Sequence, residues 1–107
     1  MKAVVIGSGG QLGQCIISQV RKKNLSKNFI FYSRSKLDIS NHNKVRETIN
    51  SIIPNIIINA SGYTDVDEAE NNKIEALAFK PVFNSKDKIL EIFHSLINQK
   101  FKIFLRN

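Results

Sequence analysis

Apolar positions along the chain change period in a regular order. Ala3–Ile6 is apolar without alternation, so Lys2–Ile6 reads as a buried strand. From about Gly10 to Lys23, apolar residues return at Leu12, Cys15, Ile16 and Val20, the spacing of one helical face. Cys15 is expected on that inward face as a small core residue. Asn24 to Asn28 is a polar turn. Phe29-Ile30-Phe31-Tyr32 is apolar throughout, as in parallel strands buried on both faces. Ser40 is expected to cap a second helix that sets Val45, Ile49, Ile52 and Ile53 on one side and ends at Pro54. Asn55–Ala60 is rich in β-branched residues and reads as a third strand. The pattern predicts strands near 2–6, 29–33 and 55–60 and helices near 10–23 and 41–53.

That order predicts an α/β fold, a Rossmann-like doubly wound parallel sheet with right-handed crossovers and helices on both faces. In such sheets ligands bind beyond the carboxyl ends of the strands. The stretches to search are therefore Gly7–Gly13, Ser33–Ile39 and Ala60–Thr64.

The first exit reads Gly7-Ser8-Gly9-Gly10-Gln11-Leu12-Gly13, a Gly-x-x-Gly-x-x-Gly pattern between strand and helix. Gly7 lets the chain leave the strand in a conformation that a Cβ penalises. Gly10 allows close approach of a pyrophosphate, and Gly13 allows close packing of helix on strand. The helix N-terminus offers unpaired N–H groups to phosphates. A P-loop is a poor alternative, because no Gly-Lys-Ser/Thr follows the turn. Gly7, Gly9 and Gly10 also suit an ordinary strand–helix turn.

At the second exit the strand runs into Ser33-Arg34, with no carboxylate before Asp38. An acidic residue there selects NAD, whereas an Arg accommodates a 2′-phosphate, so NADPH is expected over NADH. Arg34 is otherwise a solvated loop residue. The third exit, Ala60-Ser61-Gly62, supplies small residues where backbone must pass close to a cofactor. Tyr63 and Thr64 follow, either facing that cofactor or capping the next helix.

Composition narrows the partners. A chain of 107 residues builds one small domain. No apolar run is long enough to span a membrane, the N-terminus lacks a signal-peptide layout, and Cys15 is the single cysteine, so a cytoplasmic protein is expected. The formal charge of +7 is unevenly spread: Asp65, Asp67, Glu68, Glu70 and Glu75 reverse its sign over 64–79. Without aromatic–basic interleaving or a recognition motif, nucleic acid is not an expected partner. His42 and His94 are isolated and suggest no metal site.

Three stretches together resemble the dTDP-4-dehydrorhamnose reductases, extended short-chain dehydrogenases of dTDP-rhamnose and polysaccharide biosynthesis. They are Gly10-Gln11-Leu12-Gly13, Leu37-Asp38-Ile39-Ser40 and the run from Pro54 to Glu70, with its Ile-Asn-Ala, Tyr-Thr and Val-Asp-x-Ala-Glu steps. The resemblance implies that Gly10, Gln11 and Leu12 meet the pyrophosphate through backbone N–H groups. It implies that Asp38 and Ile39 hold the adenine, and that Ala60, Ser61 and Gly62 line the path to the nicotinamide ribose. Family members usually carry Ala at the positions of Ser61 and Gly62. Ser33 stands where the family is often acidic, which agrees with NADPH.

The resemblance covers about residues 1–70. The family's Ser/Thr-Asp-Tyr step, catalytic Tyr-x-x-x-Lys pair and sugar-nucleotide domain are not recognisable, so no catalytic residue is assigned. Tyr32 and Lys36 match Tyr-x-x-x-Lys, but the catalytic pair needs a helix and Tyr32 closes a strand, at the adenosine end of the cofactor. Residues 1–78 are thus expected to form the N-terminal part of an NAD(P)-binding Rossmann domain, with 79–107 a divergent tail. In that tail Ile89, Ile92, Phe93, Leu96 and Ile97 have helical spacing, and Phe101–Leu105 suits a strand. The chain then reads as a truncated reductase, inactive alone, with a nucleotide-sugar as substrate only in a complete enzyme. A non-catalytic dinucleotide-binding or regulatory module is the alternative, and a homo-oligomer or a second chain carrying the missing half stays open.

Overall fold

Ala3–Ile6 (β1) lies inside a five-stranded sheet, in a computed structural model that describes residues 2–61, 65–81 and 102–106. It pairs in parallel with Phe29–Tyr32 (β2) on one side and Ile56–Asn59 (β3) on the other, so that Val4 stands between Ile30 and Ile57. Phe79–Pro81 (β4) forms the far edge, and Lys102–Arg106 (β5) lies between β3 and β4, antiparallel to both. The expected strands are present within a residue at each end, and the strand expected at 101–105 is β5. Parallel pairing holds for β1, β2 and β3, whereas β5 makes the whole sheet mixed. The helical spacing seen at 89–97 lies outside the described residues, as do Tyr63, Thr64 and His94.

Among the described residues, three α-helices flank the sheet: Gln11–Lys22 (α1), His42–Ile52 (α2) and Asp65–Ala76 (α3). Successive strand residues point to opposite faces. Ala3, Val5, Ile56 and Ile58 therefore pack with Ile16 and Val20 of α1, while Val4, Ile6 and Ile57 pack with Val45 and Ile49 of α2 and Ile74 of α3. Both faces are covered, which is why β1 and β3 show no alternation. Each buried Val or Ile contributes about 1.5–3 kcal/mol by leaving water.

The winding reverses beside β1. The chain steps from β1 outward to β2 with α1 on one face, then back past β1 to β3 with α2 on the other. Crossovers of constant hand must change face when their direction reverses. The switch point therefore falls between the carboxyl ends of β1 and β3, the crevice such sheets use for ligands.

Several expectations need correction. β2 is an edge strand, not buried on both faces, and Ile30 on it is 38% exposed. Cys15 is exposed rather than inward. Gly13 is drawn against the turn after β1 and sets the rotation of α1; two residues on, Cys15 stands about 200° around the helix. Asn41, not Ser40, caps α2: its Oδ1 accepts from the Lys44 N–H at 3.2 Å. Ile53 does not share the inward face of Val45 and Ile49. It adopts the left-handed conformation at the end of α2 and is 58% exposed, with Pro54 preventing further helix. Asn24 ends α1 in the same way at φ 56°, the Leu25 N–H bonding the Val20 carbonyl at 3.0 Å.

Candidate functional site

The strand exits meet at the switch point. After Ile6 the chain turns at Gly7, whose φ of +83° favours glycine. The N–H groups of Gly7 and Ser8 both donate to the Tyr32 carbonyl at 3.0 Å, tying the β1 exit to the end of β2. On the other side, the Ala60 N–H donates to the Ile6 carbonyl at 2.8 Å. Gln14 of α1 reaches back, its side-chain amide donating to the Ser8 carbonyl at 3.0 Å. The turn is thus fixed by β1, β2, β3 and α1 together.

The three glycines of the pattern have different reasons. A Cβ on Gly7 would overlap the backbone of Ala60 and Ser61, and one on Gly13 would overlap Ser8 Cα and lie 2.6 Å from the Gly7 carbonyl oxygen. Those two are required by packing within the chain. Among the described residues, a Cβ on Gly10 would meet only the Gly7 oxygen, at 3.8 Å. Gly10 also has an extended backbone, with φ −78° and ψ 175°, that any residue adopts. Among the described residues nothing demands glycine there, so the space a side chain would fill remains open beside the helix start. As the N-cap of α1, Gly10 brings no side chain to accept from the first-turn N–H groups. Uncapped donors beside an open backbone cradle suit an anionic oxygen, and a dinucleotide pyrophosphate fits them.

Beside this turn lies a cleft of about 420 Å³. It is lined by Gly7, Gly10, Arg34, Asp38, Ile39 and Ser61 of the expected site residues, and also by Ile6, Gly9, Leu37 and Ser40. The other expected residues stand around it. Gln11 and Leu12 open α1, Gly13 underlies the turn, and Ala60 is buried behind Ser61. Ser33 lies beyond Gly9 and shares a 3.0 Å hydroxyl–hydroxyl contact with Ser35. Gly62 lies outside the described residues. A further hollow of about 350 Å³ between α2 and α3, lined by His42, Arg46, Lys73 and Leu77 among others, includes Ile39 alone of the expected site residues.

Asp38 holds the wall of the cleft in shape. Its Oδ1 accepts from the Ser40 hydroxyl at 2.7 Å and the Ser40 N–H at 2.9 Å. Those bonds, with the nearby Arg34 charge, hold the carboxyl below its ordinary pKa. Among the described residues, Oδ2 has the Arg34 Nε at 3.7 Å as its one partner, so acceptor capacity remains for an amino group such as that of adenine. The Arg34 side chain is 89% exposed, and so loose a pair leaves the guanidinium available to another anion. Leu37 anchors the same loop from below, buried against the α2 side of the core.

Tyr32 and Lys36 do not share a helix face. Tyr32 closes β2 and packs against the α2-side core, while Lys36 sits in the following turn with its N–H on the Ser33 carbonyl. Behind the cleft stand two residues that the sequence reading does not single out. Asn59 and Asn71 are both buried, and the Asn59 Nδ2 donates to the Asn71 Oδ1 at 2.8 Å. The signal for Asn59 was a lone amide ending the apolar run Ile56–Ile58; Asn71 gave none. Among the described residues, no group of three His, Cys, Asp or Glu is placed to hold a metal, and no helix is long and apolar enough to cross a membrane.

A family model described as the RmlD substrate binding domain matches residues 1–86. A dTDP-4-dehydrorhamnose reductase of Aggregatibacter actinomycetemcomitans is 40% identical over 73 residues, 64% of this chain and 23% of that protein. The spore coat polysaccharide biosynthesis protein SpsK of Bacillus subtilis is 30% identical over 69 residues, 64% of this chain and 24% of that protein. The crystal structure of a dTDP-4-dehydrorhamnose reductase from Clostridium acetobutylicum, an RfbD ortholog, matches with a TM-score of 0.52 and 36% identity, covering 67% of this chain and 25% of that one. The matching stretch thus spans about a quarter of each relative's length.

Proposed function

The chain belongs to the family of the RmlD substrate binding domain, and on that premise we propose that its switch-point cleft binds a nicotinamide dinucleotide, NADPH in preference to NADH, as the cofactor-holding part of a dTDP-4-dehydrorhamnose reductase. One observation carries this reading: glycine stands at Gly10 without an internal reason, beside the uncapped start of α1 and between the exits of β1 and β3. Gly10, Gln11 and Leu12 offer backbone N–H groups to the pyrophosphate. Asp38 and Ile39 hold the adenine end. Ser33 and Arg34 supply a hydroxyl and a guanidinium to a 2′-phosphate. Ala60, Ser61 and Gly62 border the nicotinamide end. A bound cofactor would supply hydride to a 4-keto sugar nucleotide in a complete reductase, a reaction that also needs a proton donor beside the carbonyl.

That donor is the part these residues do not offer. The chain has two tyrosines, and the residue four after Tyr63 is Asp67. Tyr32 precedes Lys36 by four but ends a strand. This favours a chain that binds cofactor without reducing the sugar by itself, and the non-catalytic module expected as the alternative shares that behaviour.

Titration of the purified chain with NADPH and NADH, followed by calorimetry or cofactor fluorescence, tests the reading. NADPH should bind tighter, and Arg34→Ala should weaken NADPH alone, by about 1.5–3 kcal/mol as for a hydrogen bond to a charged group. Identical curves for both cofactors, unmoved by the substitution, would remove Arg34 from the site. With NADPH and dTDP-4-dehydrorhamnose present, no turnover above the uncatalysed rate is expected.

A further inference from the structure

Behind the cleft lining, Asn59 of β3 bonds to Asn71 of α3. It ends β3 and is buried, as is Asn71 in the middle of α3, and neither lines the cleft. Its Oδ1 accepts from the Ser61 N–H at 3.2 Å and the Ser61 hydroxyl at 2.5 Å. A backbone N–H can only donate, so the Asn59 oxygen must face Ser61 and its amide NH₂ must face Asn71. The orientation of both amides follows. Ser61 is in turn the residue that Gly7 abuts. A continuous hydrogen-bonded path therefore runs from α3 through Asn71 and Asn59 to Ser61, the wall of the cleft at the switch point.

We propose that Asn59 and Asn71 are positioning residues, which hold the Ser61 backbone against Gly7 and so couple the seating of α3 to cofactor binding; the proposal rests on the cleft being a dinucleotide site. The chemistry suits that role. A buried amide pair in a low-dielectric interior is strong when satisfied and costly when one partner is lost. Asn59 therefore has one favourable orientation, and Ser61 follows it. Without Asn71, the Asn59 amide lacks its described partner and turns to find another, releasing Ser61.

The test compares Asn71→Ala with Asn71→Asp in the full chain, because Asp keeps an oxygen to accept from the Asn59 Nδ2. Two quantities are read: amide hydrogen exchange at Ser61 relative to Ile57 and Ile58, without ligand, and the NADPH dissociation constant at a temperature where every variant is folded. Asn71→Ala should speed exchange at Ser61 more than at Ile57 and Ile58, and should weaken NADPH about fivefold or more, as for a coupled pair of sites. Asn71→Asp should retain both properties while melting earlier, because a buried charge is costly. A role in stability alone predicts even acceleration across the three amides and an unchanged dissociation constant, and either result overturns the proposal. So does Asn71→Asp losing affinity as Asn71→Ala does. If Asn71→Ala does not fold, Asn71→Ser carries the same comparison. A wild-type chain that fails to bind NADPH refutes the cofactor reading, and the exchange comparison, which needs no ligand, then decides on the positioning of Ser61 by itself.

Discussion

Gly7 and Ser61 are in backbone contact: a Cβ on Gly7 would lie 2.6 Å from both the amide nitrogen and the Cα of Ser61. Residues 54 positions apart are pressed together because β1 and β3 are adjacent and parallel, and both chains leave the sheet at the same level. Gly7→Ala is expected to cost about 1–3 kcal/mol from overpacking and about 1–2 kcal/mol more from its positive φ. That is a large share of the stability of any domain. Urea unfolding checks it, and a loss below about 0.5 kcal/mol, the size of a neutral surface change, would mean the two exits are not in contact.

Gly10→Ala should behave in the opposite sense. Its Cβ meets no backbone closer than 3.8 Å, so the stability loss should stay within about 1 kcal/mol, the usual cost of Ala at an N-cap. NADPH affinity should nevertheless fall, because the new methyl occupies the open cradle. Gly13→Ala is the control, since its Cβ would overlap the Ser8 backbone and should destabilise the chain with or without cofactor. A Gly10→Ala chain that binds NADPH as well as wild type would place the pyrophosphate elsewhere.

Much of this site is written locally. Gly7, Gly13 and the buried β1 run follow from short-range sterics and period, so they are legible where they stand. Edge and direction are not local. Ile30 looks as apolar as Ile57, yet one lies on an outer strand and the other in the middle, because strand order depends on where the winding reverses. Phe101–Leu105 reads as a strand, but nothing in its composition tells parallel from antiparallel. The Asn59–Asn71 bond joins a strand to a helix, and only half of it, a polar residue in an apolar run, leaves a trace in sequence. Cys15 shows the limit of periodicity itself, since the inward face of α1 carries Gly13, Ile16 and Val20 and leaves Cys15 outside it.

The Asp38–Ser40 turn should respond to acid in a defined direction. Hydrogen bonds from Ser40 hold the Asp38 carboxyl below its ordinary pKa, so the unfolded chain takes up that proton first as pH falls. The contribution of the turn is present above the ordinary carboxylate value and is lost as pH drops through the folded one. The Ser40 amide resonance should therefore titrate with a midpoint below about 3.9. A midpoint above that value, or none, would mean the carboxylate does not accept from Ser40.

Ile53 offers a test of the end of α2. Its φ of 53° and ψ of 61° lie in the left-handed region, where its N–H still donates to the Ile49 carbonyl at 2.8 Å. The helix must stop there, because Pro54 has no N–H and crowds the residue before it. A Cβ in that region costs about 1–2 kcal/mol, and glycine avoids the cost. Replacing Ile53 removes apolar contact too, so the informative comparison is Ile53→Gly against Ile53→Ala, which lose nearly the same side chain. Ile53→Gly should be the more stable by about 1 kcal/mol. At Asn50, exposed within the same helix, the order should invert, Asn50→Ala exceeding Asn50→Gly by about 1 kcal/mol. Thermal or urea unfolding of the four variants gives both differences. The same rank at both positions would mean that Ile53 continues the helix rather than ending it.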